Sequence, residues 1–209
     1  MRVALLAGAS GLVGSHLLRQ LLTDPAWDRV VSVGRRELPE HPKLDQRITQ
    51  LPEIGDLPPV DDVLIALGTT IKVAGSQAAF RIVDHDAVVA VAEAGRAAGA
   101  QTLLHVTAMG ADPGSRIFYN RVKGETERDV AAVGVPYTAA LRPSIIDGDR
   151  EEPRPGEKVM LTAMRAAAPV LGRFGPTRAA DIATAMLRLA QQGHGPAVVG
   201  AGEIRRLAR

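Results

Sequence analysis

Gly8, Gly11 and Gly14 constrain this chain more than any other residues. They stand in Ala7-Gly8-Ala9-Ser10-Gly11-Leu12-Val13-Gly14, after the apolar run Val3 to Leu6 and before His16-Leu17-Leu18-Arg19-Gln20-Leu21-Leu22. The order strand, glycine turn, helix builds a phosphate cradle. Gly8, lacking a side chain, permits a sharp turn, Gly11 lets the main chain approach a pyrophosphate, and Gly14 lets the helix close on the sheet. The helix start adds free N–H groups and the positive end of the helix dipole.

Beyond that turn, short β-rich runs alternate with longer helical patterns. Strands are expected at Arg2 to Ala7, Val30 to Val33, Arg47 to Leu51, Asp62 to Ala66, Thr102 to Thr107 and Tyr137 to Leu141, with a last one near Ala197 to Val199. These runs are apolar on both faces, as parallel strands covered by helices must be. Helices are expected at Leu12 to Leu22, Ser76 to Ala98, about Arg116 to Val133, Gly156 to Ala168 and Thr177 to Gln192, with Gly99 closing the second. The fold class is α/β: a doubly wound, mostly parallel Rossmann sheet with a small C-terminal helical cap. At 209 residues one domain is expected, residues 143–195 contributing the substrate-side cap.

Composition narrows the partners. The net charge is +2, aromatics make up 3%, and there is no run of Lys/Arg, so nucleic acid is not an expected partner. The chain has no cysteine, which removes disulfides, thiolate catalysis and cysteine zinc sites, and no metal site is expected. No apolar stretch spans a membrane and no leader pattern opens the chain, so the expected setting is cytoplasmic, without a membrane. A homo-oligomer stays open.

At the end of the second strand a site for NAD presents an acid to the ribose 2′-OH, whereas this chain reads Val33-Gly34-Arg35-Arg36. The fork of a guanidinium suits a 2′-phosphate, so Arg35 and Arg36 favour NADP (NADPH), and Glu37 nearby keeps NAD open. After the fourth strand, Ala66-Leu67-Gly68-Thr69-Thr70 places a glycine where the backbone passes close to the cofactor's ribose. Thr69 and Thr70 either bind there or close a turn with their hydroxyls.

Tyr119 and Lys123, four apart in Tyr119-Asn120-Arg121-Val122-Lys123, share one face of the expected helix after the fifth strand. An ammonium beside a phenol favours the phenolate, which makes tyrosine a proton donor and acceptor near neutrality. Thr107, in His105-Val106-Thr107-Ala108-Met109-Gly110, offers a hydroxyl at the end of the fifth strand, where ligand crevices open. His105 reads as a packed strand residue and Met109 as a pocket lining.

These residues resemble the short-chain dehydrogenase/reductase superfamily in its atypical, extended-like branch, through Gly-x-x-Gly-x-x-Gly and Tyr-x-x-x-Lys. More closely, the chain is similar to the small Tat-interacting-protein-like oxidoreductases. That likeness lies in Leu67-Gly68-Thr69-Thr70, Gly110-Ala111-Asp112, Tyr119 to Glu125, Leu141-Arg142-Pro143 and Arg154-Pro155-Gly156-Glu157. The resemblance implies cofactor contacts from Gly8, Ser10, Gly11, Leu12, Val13 and Gly14, from Arg35, Leu67, Gly68 and Lys123, and from Pro143, Ser144 and Ile145 beside the nicotinamide. It also implies Tyr119 as acid/base with Thr107 as hydroxyl partner. The chain departs from the pattern at Thr107-Ala108, where serine is usual and often doubled, and in lacking a large substrate domain.

The expected function is an NADP-dependent oxidoreductase that moves a hydride between nicotinamide and a small carbonyl or alcohol substrate. Two alternatives stay open: an NADPH-binding regulatory or sensor protein with little turnover, and a nucleotide-sugar epimerase or dehydratase.

Overall fold

The computed structural model describes residues 1–147 and 175–209. Seven strands form one sheet: β1 (Val3–Ala7), β2 (Arg29–Gly34), β3 (Leu44–Ile48), β4 (Asp62–Ile65), β5 (Thr102–Val106), β6 (Tyr137–Arg142) and β9 (Val198–Gly200). Their spatial order is β3-β2-β1-β4-β5-β6-β9, and every neighbouring pair is parallel. The order in which strands are added reverses between β1 and β4, which makes this a doubly wound sheet, whose ligand crevice lies outside the carboxyl ends of the strands. β7 (Ile146–Asp147) and β8 (Thr177–Arg178) form a separate two-stranded parallel pair.

The helices cover both faces. Alternate residues of β1 take opposite sides: Ala4 and Leu6 join a core with Leu17, Leu21, Ile182 and Met186. Val3, Leu5 and Ala7 join another with Val63, Val88, Val91 and Val130. The first core lies under α1 (Leu12–Thr23) and α6 (Ala179–Gln192), the second under α4 (Ala87–Ala97) and α5 (Phe118–Ala132). Both faces of the central strands β1, β4 and β5 are therefore dry, which is why their sequences run largely apolar without alternation. α6, the described helical part of the expected cap, packs into the first core through eight buried residues, Ala179 to Ala190. The expected helix Gly156 to Ala168 and the Arg154 to Glu157 segment lie outside the described residues.

Several boundaries differ from expectation for physical reasons. The third strand is Leu44–Ile48 rather than Arg47 to Leu51, and no residue of it is fully buried. As an edge strand it is defined by its register on β2, Val30 opposite Leu44 through Gly34 opposite Ile48, rather than by an apolar run. The expected single helix Ser76 to Ala98 is split. α3 (Gln77–Arg81), capped by the Ser76 hydroxyl, runs into a π-helical turn at Ile82–Asp86 before α4 begins. A short α2 (Ile71–Ala74) precedes it, and α7 (Ala201–Leu207) follows β9. The Thr177 to Gln192 helix starts at Ala179, because Thr177 and Arg178 pair with Ile146 and Asp147.

At the amino edge of the sheet, the fully buried Asp62 receives Arg2 Nε at 2.6 Å and Trp27 Nε1 at 2.7 Å. Arg2 also donates to the Ala190 carbonyl and stacks over Trp27, so β1, β4 and α6 are tied at the end away from the crevice.

Two helical glycines separate close packing from spare space. A Cβ on Gly95 in α4 would stand 2.3 Å from Val63 Cγ2, whereas one on Gly202 in α7 would meet nothing within 4 Å. Gly95→Ala is expected to destabilise by about 1–3 kcal/mol through overpacking, and Gly202→Ala to be neutral or stabilising by up to about 1 kcal/mol. Denaturant unfolding of the two variants checks this, and equal effects would contradict the packing of α4 on β4.

Candidate crevice at the carboxyl edge of the sheet

The glycine turn is built by contact as much as by backbone freedom. Gly8 adopts φ +88, and a Cβ there would stand 2.6 Å from the Ala66 carbonyl oxygen. A Cβ on Gly14 would stand 1.9 Å from the Gly8 carbonyl oxygen, so α1 begins hard against β1. The Gly11 N–H is spent on the Gly8 carbonyl at 2.9 Å. No side chain caps α1 and its first turn holds no acid. Its leading N–H groups, from Leu12, Val13 and Gly14, thus face the crevice edge as donors awaiting an acceptor, an arrangement suited to a phosphate. Ser10 sits exposed in the turn.

Arg35 and Arg36 follow β2 at the same edge and are exposed. Gly34 beside them leaves open space where a side chain would stand. On the other side of β1, the β4 loop brings in Leu67, Gly68 and Thr69. Thr70 takes the turn-closing alternative, its hydroxyl accepting the Val73 N–H at 3.2 Å to cap α2. The Thr69 N–H donates to Asp84 Oδ2 at 2.8 Å.

Tyr119 and Lys123 stand one turn apart on α5, as their spacing predicts. Tyr119 is half-buried, its ring 5.5 Å from that of Phe80, which itself lies 6.0 Å from Phe118. Lys123 is buried at 4% exposure, and its Nζ lies 2.6 Å from Oδ1 of the fully buried Asp84. Spacing did not single out Asp84. It stands among Arg81, His85 and Asp86 on the same stretch, and no local pattern sets it apart from them. Gly68 lies over this pair: a Cβ there would be 3.6 Å from Asp84 Oδ1 and 4.0 Å from Lys123 Nζ.

Thr107 is placed differently from the role the resemblance implies. Its buried Oγ1 donates to Glu127 Oε1 at 2.6 Å, and Glu127 is also gripped by Arg142 through Nε at 2.9 Å and Nη2 at 2.5 Å. Thr107 shares its strand face with His105 and points under α5, so its one proton is committed to a carboxylate. The loop after β5 lies across α5 at Gly124, where a Cβ would come within 2.2 Å of the Asp112 and Pro113 backbone. Met109 N–H donates to the Pro143 carbonyl at 3.0 Å, which draws Pro143, Ser144 and Ile145 beside this loop. Ser144 Oγ donates to the Gly175 carbonyl at 2.6 Å and lies 2.9 Å from Thr177 Oγ1. A groove of about 570 Å³ between α4 and α5, lined by His85, Glu93, Arg96 and Asp129, contains none of these residues.

No family model matches the chain. Among proteins of known sequence it is similar to the mitochondrial protein fmp52 of Emericella nidulans, 37% identical over 165 residues, covering 74% of this chain and 71% of that protein. The mitochondrial protein FMP52 of Candida glabrata is 33% identical over 159 residues, covering 74% and 68%. Among solved structures, MoeE5 in complex with UDP-glucose and NAD aligns with TM-score 0.71 and 19% identity, covering 98% of this chain and 80% of that one. A Saccharomyces cerevisiae short-chain dehydrogenase/reductase aligns at 0.67 and 15%, covering 93% and 92%. At such identities the likeness is one of fold, the doubly wound, mostly parallel α/β sheet that these proteins share. The names of the relatives overturn the cytoplasmic expectation, since they are mitochondrial proteins. An absence of cysteine constrains redox chemistry and leaves the compartment undetermined.

His105 contributes no proton. It is fully buried in β5, its Nδ1 has no hydrogen-bond partner among the described residues, and burial, then the charge of Lys123, push its imidazole down to about 3. The unfolded chain takes up this proton below its ordinary 6.5 while the folded chain refuses it, so stability falls as pH drops from 6.5 towards 3. Between about pH 6.5 and 4.5 this group accounts for about 2 kcal/mol of loss, which His105→Leu is expected to remove. Urea unfolding across that range checks it, and parallel pH slopes in the two proteins would contradict a neutral His105.

Proposed function

The chain belongs to the Fmp52 family and carries the short-chain dehydrogenase/reductase fold, and from that premise we propose that it is an NADP-dependent oxidoreductase acting on a small carbonyl or alcohol. The observation that carries the reading is the convergence of the glycine turn, the Gly68 opening and the Tyr119/Lys123 face on one edge of the sheet. Proteins of the same fold solved in complex with NAD support the coarser statement that the cofactor is a nicotinamide dinucleotide.

The residues present fit such a group. The N–H groups at the start of α1 would hold the pyrophosphate and Arg35 with Arg36 the 2′-phosphate. Leu67, Gly68 and Thr69 would lie along the ribose side, with Lys123 at its hydroxyls and Pro143 to Ile145 beside the ring. When bound, the nicotinamide supplies hydride exchange with a carbonyl carbon. Tyr119 Oη gives its proton to the carbonyl oxygen in reduction and takes it back in oxidation, and Lys123 orients and electrostatically supports that exchange. Phe80 packs against the Tyr119 ring, and Phe118 packs in turn on Phe80.

A second reading, a dinucleotide-binding regulatory protein with little turnover, is favoured by one observation. The Thr107 hydroxyl is committed to Glu127 and the next residue is Ala108, so this stretch offers no free hydroxyl to polarise a carbonyl.

Two variants test the proposal. Tyr119→Phe is expected to lower carbonyl-dependent NADPH oxidation by about 10²–10⁴-fold while leaving NADPH affinity unchanged. Unchanged turnover would exclude the mechanism, and tight binding without turnover across a panel of small aldehydes and ketones would establish the regulatory reading. Arg35→Ala is expected to weaken NADPH by about tenfold or more with NADH unaffected, since a hydrogen bond to a charged group is worth about 1.5–3 kcal/mol. Isothermal titration reads the difference, and equal losses for both dinucleotides would remove Arg35 from 2′-phosphate recognition.

A further inference from the structure

Asp84 has no place in the proton transfer, yet it is the most constrained acid at the crevice. It is fully buried, and its polar atoms reach two parts of the site, α5 and the β4 loop. Oδ1 lies 2.6 Å from Lys123 Nζ on α5, and Oδ2 accepts the Thr69 N–H of the β4 loop at 2.8 Å. The backbone carbonyl accepts Thr126 Oγ1, again on α5, at 2.9 Å. The residue sits in the Ile82–Asp86 π-helical turn, closed by the Ala87 N–H on the Ile82 carbonyl. Such a turn inserts one residue into the helix and re-aims the side chains around it, here placing Asp84 between β4 and α5.

A buried ion pair is a poor way to gain stability. Desolvating both charges offsets most of their attraction, and well-packed apolar residues of the same volume serve as well or better. What the pair supplies is position. Asp84 locks the Lys123 ammonium and the Gly68-Thr69 backbone to one carboxylate, and Gly68, having no side chain, lets the loop backbone lie close over the buried pair. We infer that Asp84 is a positioning residue: it holds the Lys123 ammonium and the β4 loop as one preformed unit against which the dinucleotide docks. The inference rests on the dinucleotide reading of the site, and it acts through Lys123 rather than by contact with the reacting atoms.

A double-mutant cycle on the full chain separates this from a structural role, with NADPH affinity measured by titration and folding by thermal unfolding. Asp84→Asn keeps the shape and an acceptor for Thr69 but removes the charge. It is expected to weaken NADPH by about tenfold or more, the cost of a site no longer preorganised. Lys123→Met is expected to weaken it comparably, and Asp84→Asn added to Lys123→Met to cause no further loss. Asp86→Asn, whose carboxylate faces His85 instead, is expected to bind as the parent does. The inference is overturned if Asp84→Asn binds NADPH as tightly as the parent, or if it weakens binding by the same factor with and without Lys123. If Asp84→Asn fails to fold but the double variant folds, NADPH affinity of the double variant decides: affinity equal to that of Lys123→Met upholds the inference, and a further loss overturns it. A folding defect that persists in the double variant assigns Asp84 to the π turn alone and overturns it. A parent chain that binds neither NADPH nor NADH overturns the dinucleotide reading itself, which is distinct from a binding-competent parent with an indifferent Asp84→Asn.

Discussion

The space that a Cβ of residue 14 would fill belongs to the carbonyl of Gly8, and much of the molecule follows from that contact. It seats the start of α1 against the end of β1, so the helix cannot begin further from the sheet. The free N–H groups of its first turn therefore open on the carboxyl edge and nowhere else. Gly8 makes the same demand on its other side, since the Ala66 carbonyl fills the place of its own Cβ and pulls the β4 loop inward. Parallel strands then bring the loops after β2, β4 and β5 to that same edge. Backbone contacts at residues without side chains thus decide where donors, guanidinium groups and the Tyr119 face can meet.

The two ends of the sheet handle charge in opposite ways. At the amino edge Asp62 is saturated: Arg2 and Trp27 supply its donors, and Arg2 spends another on Ala190. The network ties β1 to β4 and α6. At the carboxyl edge the pair Lys123 and Asp84 is buried beneath Gly68, while Arg35 and Arg36 stand exposed. A buried pair costs desolvation at either end. At the carboxyl edge the exposed guanidinium groups of Arg35 and Arg36 stand beside the uncapped start of α1.

Legibility in the sequence followed the range of the interactions. The glycine spacing and the four-residue step from Tyr119 to Lys123 are local, so the turn and the shared helix face could be read directly. Strands β1, β4 and β5 were equally plain, because burial on both faces leaves an unbroken apolar run. Strand β3 was misplaced by three residues at each end, since an edge strand carrying Asp45, Gln46 and Arg47 is specified by its register on β2. Asp84 and Glu127 were missed for a related reason. Each owes its place to partners far along the chain, Lys123 and Thr69 for one, Thr107 and Arg142 for the other, and no local period announces such a contact.

Thr107 shows what a motif position conceals. Its place at the end of β5 suits a hydroxyl that polarises a carbonyl, but strand alternation turns its side chain under α5, where Glu127 takes the proton. Arg142 then neutralises Glu127, so the threonine helps to fasten β5, β6 and α5 beneath the crevice. Tyr119 remains at the mouth, packed on Phe80. A carbonyl in the proposed reaction would thus meet one phenolic donor from α5 with no hydroxyl from Thr107 beside it. With less help in polarising the carbonyl, substrates that are intrinsically electrophilic, aldehydes before ketones, would react most readily at such a site.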